Sequence, residues 1–574
     1  MKNEKITGYA SIDKPWLKYY PKYIIERDIP KMTIYDYVLS SNNYYPDRIA
    51  LNYFDNKISY GEMIEKIDIT ALALMQLGVK EGEIVTICLP TVPEFVYLFY
   101  AISKIGAIAN MIDPRKSSEE MEEYTNSVKS KVFVVIDVAI NKVKDLMKHT
   151  EVKKIISVSP SDSMPKKLKR LYKIKQGFSK KYPNIISWNE FYKLGIDRKG
   201  KVIKEVYPKY EYNKPLVIVY TGGTTGKSKG VVLSNDNINA TSYQTLTCGY
   251  HFERNHRWLN IMPPFIAYGI GNGLHLPLIC GMEMILIPAF DPNKFDRLLK
   301  KYEPNHMTGV PTHYDSVVNS KVLKDESLNY IMSAIVGGDK LDETREEIIN
   351  EYFFKHHCDF KISKGYGMSE VAAAVCAAGI DSENSIGSVG IPFHHITMAI
   401  FDPETNKELK YGEVGELCIT GPNTMIGYYN NEEETNKLIR EHKDGLKWVH
   451  SGDLAYIDSD GKIFIKGRMK EMIIRYDGFK VFPIAIEEVI CTHELVNTCK
   501  VVGVKDAEHT QGELPKAFVV LKNDRCNKEE VKKQLKKLCE EKLAEYLQPV
   551  DFIFKDSLPL TKIGKINFVK LKEE

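Results

Sequence analysis

No C-x-x-C pair occurs among the ten cysteines, which are scattered from Cys88 to Cys539. That usage argues against a disulfide framework and suits small core residues in a reducing compartment. Runs of about 18 uninterrupted apolar residues are absent, and residues 1–16 are polar without an apolar h-region, so neither a membrane bundle nor a secretory leader is expected and the reading is cytoplasmic. Neither sign of charge dominates: 79 Lys and Arg face 76 Asp and Glu. A balance so close to neutral gives no electrostatic reason for a nucleic-acid partner. Internal repeats and long low-complexity segments are also missing.

What is present is long and globular in composition. At 574 residues, 43% hydrophobic and 27% charged, the chain is large enough for several cores or one layered core with a satellite. β-rich apolar runs at 132–136, 216–220 and 285–287 alternate with helix-like stretches such as 94–104, led in by Pro93, which means α/β layers. Toward the end, Asn527 can cap a helix with Glu530 three residues on. Val531, Leu535, Leu538 and Leu543 then form an apolar stripe, and the strand-like run 517–521 precedes them, giving a small α+β unit. Charge and turn residues mix at Gly467-Arg468-Met469-Lys470-Glu471 and Asp477-Gly478, so a domain boundary is expected near Lys470. In 166–181, lysine and arginine punctuate Leu168, Leu171, Tyr172 and Ile174. This is either a solvated surface helix or loop, or a basic amphipathic patch that touches anionic membrane.

The chemistry concentrates after the buried-type strand 216–220, in Thr221-Gly222-Gly223-Thr224-Thr225-Gly226-Lys227-Ser228-Lys229-Gly230. Four glycines free the backbone to turn N–H groups toward an anion, and three threonines, one serine and two lysines add hydroxyl donors and positive charge. Phosphate is the natural ligand. Gly226-Lys227-Ser228 imitates the end of a P-loop, but the spacing fails. Thr221 stands five residues before Gly226, and Gly222 leaves only three between the glycines.

The loop resembles that of the adenylate-forming (AMP-binding) superfamily, which includes acyl-CoA synthetases, luciferases and peptide-synthetase adenylation domains. Its pattern, S/T-S/G-G-S/T-T-G-x-P-K-G, is met with Ser228 in place of proline, a change expected to loosen the loop. The resemblance runs in family order from about Tyr60 to Lys565. Gly337-Gly338-Asp339-Lys340-Leu341 is similar to the segment that lies along adenine. Tyr366-Gly367-Met368-Ser369-Glu370 is similar to Y-G-x-S/T-E, where the tyrosine packs on adenine and the glutamate reaches magnesium. Ser451-Gly452-Asp453 and Gly467-Arg468 resemble the ribose-binding motifs, with Asp453 accepting from the diol and Arg468 beside it. Pro559-Leu560-Thr561-Lys562-Ile563-Gly564-Lys565 resembles the C-terminal motif with the catalytic lysine, Ile563 replacing serine.

The resemblance implies an α/β fold with a large multi-layered N-terminal domain, residues 1–469, and a small mobile α+β C-terminal domain, residues 470–574, hinged at Lys470. It further implies ATP, Mg²⁺ and coenzyme A as cofactors, with Lys565, Thr225 and Glu370 as catalytic residues, the last two near the metal. The remaining implied ATP contacts are Thr221, Gly222, Gly223, Thr224, Gly226 and Lys229, then Gly337, Gly338, Tyr366, Gly367, Met368, Ser369, Asp453 and Arg468. Phe265, Ile266, Tyr268 and Gly309 fall where the family lines its acyl tunnel. Ile266 stands where amino-acid-activating members carry an aspartate, and a buried ammonium without a carboxylate is costly, so a fatty or aryl acid is expected. Chain length is not legible, since one methylene is worth only about 1–3 kcal/mol. Gly478 and Lys480 resemble the pantetheine path. The expected activity is acid–thiol ligation through an acyl-adenylate. A separate acyl-carrier protein as acceptor, a luciferase-like oxygenase and a non-catalytic nucleotide binder stay open. His356-His357 and His394-His395 lack the spacing of a metal site and are read as core or surface histidines.

Overall fold

A computed structural model describes residues 6–176, 182, 184–199, 201, 206–221, 228–378, 385–477, 479–506, 508–509, 511–523, 526–560 and 566–573. Two large sheets dominate. In one, the strands run Gly427–Tyr428, Gly230–Ser234, Pro215–Tyr220, Ile108–Met111, Ile84–Cys88, Val132–Ile136, Lys154–Val158 and Ile185–Ser187. From Pro215–Tyr220 to Ile185–Ser187 neighbouring strands pair parallel, and the strand Val132–Ile136 is buried at every position, as expected where helices cover both faces. The second sheet has a parallel centre, Glu283–Leu286, Arg257–Asn260, His306–Gly309, Ser333–Val336 and Ser363–Tyr366.

Local chemistry explains the helices between them. Ser59 and Glu62 form a reciprocal capping box on Tyr60–Gln76. Pro93 occupies the first turn of Pro93–Lys104, where its missing N–H costs nothing. That helix is almost entirely buried and carries Glu94 into the core, where its carboxylate accepts from Ser163 Oγ at 2.6 Å. Burial pushes the Glu94 carboxyl up to about 7.

A third sheet, built on Thr397–Phe401, Gly415–Thr420 and Lys447–Ile457, adds Ile463–Arg468 alongside the last of these. After the 3-10 turn Met469–Glu471 the chain forms a three-stranded sheet, Val496–Lys505, Glu513–Leu521 and Asp551–Lys555, with the helices Pro483–Cys491 and Lys528–Lys542. This unit has its own apolar cluster, including Ile473, Val501, Val519 and Leu535. Asn527 caps Lys528–Lys542 through the N–H groups of Glu529 and Glu530. The buried line on that helix is Val531, Leu535 and Cys539, at i, i+4, i+8; Leu538 and Leu543 only flank it. Lys166–Gln176 is a helix. Among the described residues no helix is long and apolar enough to cross a membrane.

Candidate active site

Tyr220 pairs with Gly230 across an antiparallel ladder, so the glycine-rich segment connects two adjacent strands. The neck of that connection is clasped. The Thr221 N–H donates to the Lys229 carbonyl at 3.1 Å, and the Lys229 N–H donates to Thr221 Oγ1 at 3.3 Å. Ser228, expected to loosen the loop, donates its hydroxyl to the Thr221 carbonyl at 2.5 Å. The substitution thus exchanges a fixed backbone angle for a hydrogen bond that a proline side chain cannot make. Gly222, Gly223, Thr224, Thr225 and Gly226 lie outside the described residues, as do Gly478 and Lys565.

Lys229 ion-pairs with Glu434 and stands 4.9 Å over the Tyr428 ring. Lys229 and Lys437 together hold the Glu434 carboxyl down at about 2. The Tyr428 hydroxyl donates to Glu370 Oε1 at 2.8 Å, and the Met425 N–H donates to the Glu370 carbonyl at 2.9 Å. Burial first, and the Glu370 charge second, raise the Tyr428 phenol. One tyrosine therefore ties the buried Glu370 to the strand that leaves the loop, since Gly427–Tyr428 pairs with Gly230–Ser234.

Glu370 sits in the 3-10 turn Ser369–Val371, just after the strand Ser363–Tyr366. The turn is tight. A Cβ at Gly367 would lie 1.4 Å from the Ala373 carbonyl oxygen, so no side chain fits there. Val371 and Ala373 both donate backbone N–H groups to the Met368 carbonyl at 3.1 Å. Ala372 and Ala373 take φ values of 55° and 92°, two consecutive non-glycine residues in a strained region of the kind found at functional sites. Within that strand, Lys364 is buried in an ion pair with Glu346, an arrangement that is costly to break from one side.

The Tyr366 hydroxyl donates to Asp453 Oδ2 at 2.6 Å, and Arg468 Nε lies 3.3 Å from Asp453 Oδ1. Burial and the Asp453 charge hold the Tyr366 phenol well above its ordinary value. Behind Asp453, Glu416 accepts from the Gly452 N–H at 3.1 Å and bonds His450 Nδ1 at 2.7 Å, while His450 Nε2 is 2.9 Å from His442 Nε2. Burial opposes the Glu416 charge, but His450 and the Gly452 N–H bring its carboxyl below the ordinary value. Glu416, Cys418 and His450 bring metal-ligating atoms within 4.8 Å of one another, the one such group among the described residues. Those atoms bond each other and brace the Gly452 turn.

Gly337 donates its N–H to the Gly309 carbonyl at 3.0 Å, and a Cβ on Gly337 would lie 3.4 Å from the Tyr268 ring. Gly338 adopts φ 83°, which favours glycine. Tyr268 thus borders the Gly337 segment. Its hydroxyl is buried beside that of Thr308, and burial raises its phenol against the opposing Thr308 hydroxyl. Tyr268 is followed by a π turn, Gly271–His275, wedged between the short helices Ala267–Ile270 and Leu276–Cys280, a distortion often found at functional sites. Phe265 and Ile266 are half-buried, and Phe265 lies under the Arg115 guanidinium at 5.7 Å.

Among the described residues, Lys340 pairs with Glu488 at 2.9 Å and Lys480 with Glu404 at 3.3 Å, each spanning to the C-terminal unit. Lys470 lies in the 3-10 turn Met469–Glu471. Residues 39–429 match the family model for the AMP-binding enzyme, and 485–565 match the AMP-binding enzyme C-terminal domain. The chain belongs to the AMP-binding enzyme family.

This AMP-binding enzyme is 30% identical to a long-chain-fatty-acid–CoA ligase of Bacillus subtilis (strain 168) over 98% of both chains. It is 30% identical to a probable 4-coumarate–CoA ligase 1 of Dictyostelium discoideum over 96% of both. Its fold is that of an anthranilate CoA ligase in complex with anthranoyl-AMP, at TM-score 0.81 and 20% identity, over 95% of this chain and 98% of that one. ATP-bound MatB from Rhodopseudomonas palustris gives TM-score 0.80 at 24% identity, over 94% and 99%.

Sequence reasoning singled out neither Tyr428, Glu434 nor Glu416. In the AMP-binding enzyme each contacts a motif residue: Tyr428 bonds Glu370, Glu434 pairs with Lys229, and Glu416 bonds the Gly452 N–H. The available signals were faint: a tyrosine pair after Gly427, acids after the helix-capping Asn431, and a Gly-Glu step opening a strand.

Proposed function

We propose that this AMP-binding enzyme activates a fatty or aryl carboxylic acid with ATP as an acyl-adenylate and then transfers the acyl group to the thiol of coenzyme A. The observation that carries the reading is the pair of linked clusters, Tyr366–Asp453–Arg468 and Glu370–Tyr428–Lys229, set beside the neck of the glycine-rich connection. An adenosine seated against Gly337 and Tyr366 would bring its ribose hydroxyls to Asp453, a carboxylate being the group suited to accept from a vicinal diol. The triphosphate then extends toward Thr221, Lys229 and the connection they close.

A carboxylate oxygen attacks the α-phosphorus, the bond to the β-phosphate oxygen breaks, and pyrophosphate leaves. Two anions must approach in line, so positioning and charge neutralisation carry the catalysis. Lys565 is assigned to bridge the carboxylate and α-phosphate, and Thr224 and Thr225 to hold the outer phosphates. Glu370 offers a hard oxygen ligand whose orientation Tyr428 fixes, which fits Mg²⁺ together with Thr225. When bound, that ion neutralises the departing pyrophosphate charge. In the second step the thiolate of CoA attacks the acyl carbonyl and AMP leaves, after the unit beyond Lys470 has turned to bring residues 478–480 to the site. Residues 1–469 and 470–574 are the moving bodies.

Neither Phe265 nor Ile266 offers a carboxylate to an α-ammonium group, which supports an acid without one. The test is mass detection of acyl-CoA and AMP after incubation with ATP, Mg²⁺, CoA and each of a fatty, an aryl and an amino acid. Thioester from the first two classes alone supports the assignment. Adenylate without CoA thioester redirects the acceptor to an acyl-carrier protein, and no adenylate from any acid contradicts the reading.

A further inference from the structure

The helix Lys166–Gln176 is amphipathic with its apolar side turned outward. Leu168, Leu171 and Ile174 are 39%, 62% and 78% exposed, rising along the helix. The side toward the protein is instead carried by Lys169 and Tyr172, both half-buried, with Lys169 Nζ donating to the Asp162 carbonyl at 3.0 Å. Successive leucines and isoleucine three residues apart lie on one face. A surface helix of a globular protein ordinarily buries that face.

The charge pattern is as one-sided as the apolar one. Six of the eleven residues are Lys or Arg and none is acidic. Lys166 and Arg170, and Lys169 and Lys173, stand four apart, where like charges repel along a helix. Such a helix gains from an external source of negative charge. A protein partner ordinarily offers an aromatic or arginine anchor a pocket, whereas here the three projecting side chains are aliphatic and interspersed with cationic ones. That combination matches an interfacial helix lying in a bilayer surface. Its base is fixed, because the Asn56 side chain donates to the Ser163 carbonyl at 2.9 Å and Ser163 to Glu94. The helix also follows Lys154–Val158 toward the sheet edge at Ile185–Ser187, away from the strands that carry the glycine-rich connection.

We propose that Lys166–Gln176 docks the enzyme on an anionic phospholipid surface, with Leu168, Leu171 and Ile174 entering the headgroup region and the surrounding cations pairing with lipid phosphates. This is independent of the reaction assigned above. The test is co-sedimentation of the full-length protein with phosphatidylcholine vesicles, pure or containing about a quarter phosphatidylglycerol. Binding is expected to the mixed vesicles, to weaken as salt is added, and to be far weaker to the neutral ones. Lys167→Glu should weaken it by about fivefold or more, the effect of a surface charge near such a membrane. The double variant L171E/I174E should abolish it while keeping the wild-type thermal melting profile and turnover of a water-soluble acid. A wild type that stays in solution with anionic vesicles overturns the proposal, as does a folded L171E/I174E protein that sediments like the wild type.

Discussion

The hydroxyl of Tyr366 donates to the carboxylate of Asp453 at 2.6 Å, joining residues 87 positions apart in the chain. The bond fixes one oxygen of the group assigned to the ribose and sets the ring assigned to adenine. Removing the hydroxyl alone separates these roles. Tyr366→Phe keeps the ring and should raise the KM for ATP about tenfold or more, the worth of one hydrogen bond to a charged group, with a smaller change in the KM for the acid. Equal effects on both would dissociate this pair from nucleotide binding.

Ser228 ties the neck of the glycine-rich connection through the Thr221 carbonyl. Ser228→Ala deletes that tie without adding proline's constraint, and should lower adenylation several-fold, consistent with about 1 kcal/mol for a net hydrogen bond. Ser228→Pro replaces one restraint by another and should fall nearer the wild type. Steady-state pyrophosphate release by the two variants checks the ordering.

Glu94 gives a pH signature of stability. Its carboxyl is raised from 4.5 to about 7 in the folded protein, so the folded state holds a proton that the unfolded chain releases first. Its contribution is fully present below pH 4.5 and is lost as pH rises toward 7, by about 3 kcal/mol if the group acts alone. Glu94→Gln cannot titrate, so its unfolding free energy should depend less on pH over that window. Urea unfolding at the two ends, on both proteins, measures the difference.

The motifs were legible because each has a local reason: glycines where a Cβ collides, as at Gly367, and a carboxylate after a turn, as at Glu370. The alternation of strand and helix was legible for the same reason, since Pro93 and Asn527 mark helix starts by their own chemistry. What escaped depends on distant pairing. Tyr428 matters only because its strand lies beside Gly230–Ser234, and Glu416 only because its strand faces His450. The outward face of Lys166–Gln176 was visible as a pattern, but its direction needed the packing of Lys169 and Tyr172.

Lys565 is the residue assigned to the first half-reaction alone. Lys565→Ala should slow adenylate formation by about 10² to 10³, the scale for removing one preorganised charge-stabilising donor. Thioester formation from supplied acyl-AMP should largely survive. A parallel fall in both steps would contradict its assignment to the first.

The central claim is tested most directly by pyrophosphate release from ATP across fatty, aryl and amino acids, with and without CoA. The account predicts release that depends on a fatty or aryl acid, a single slow turnover without CoA, and sustained turnover with AMP and acyl-CoA when CoA is added. Release with amino acids only, or none with any acid, would contradict it.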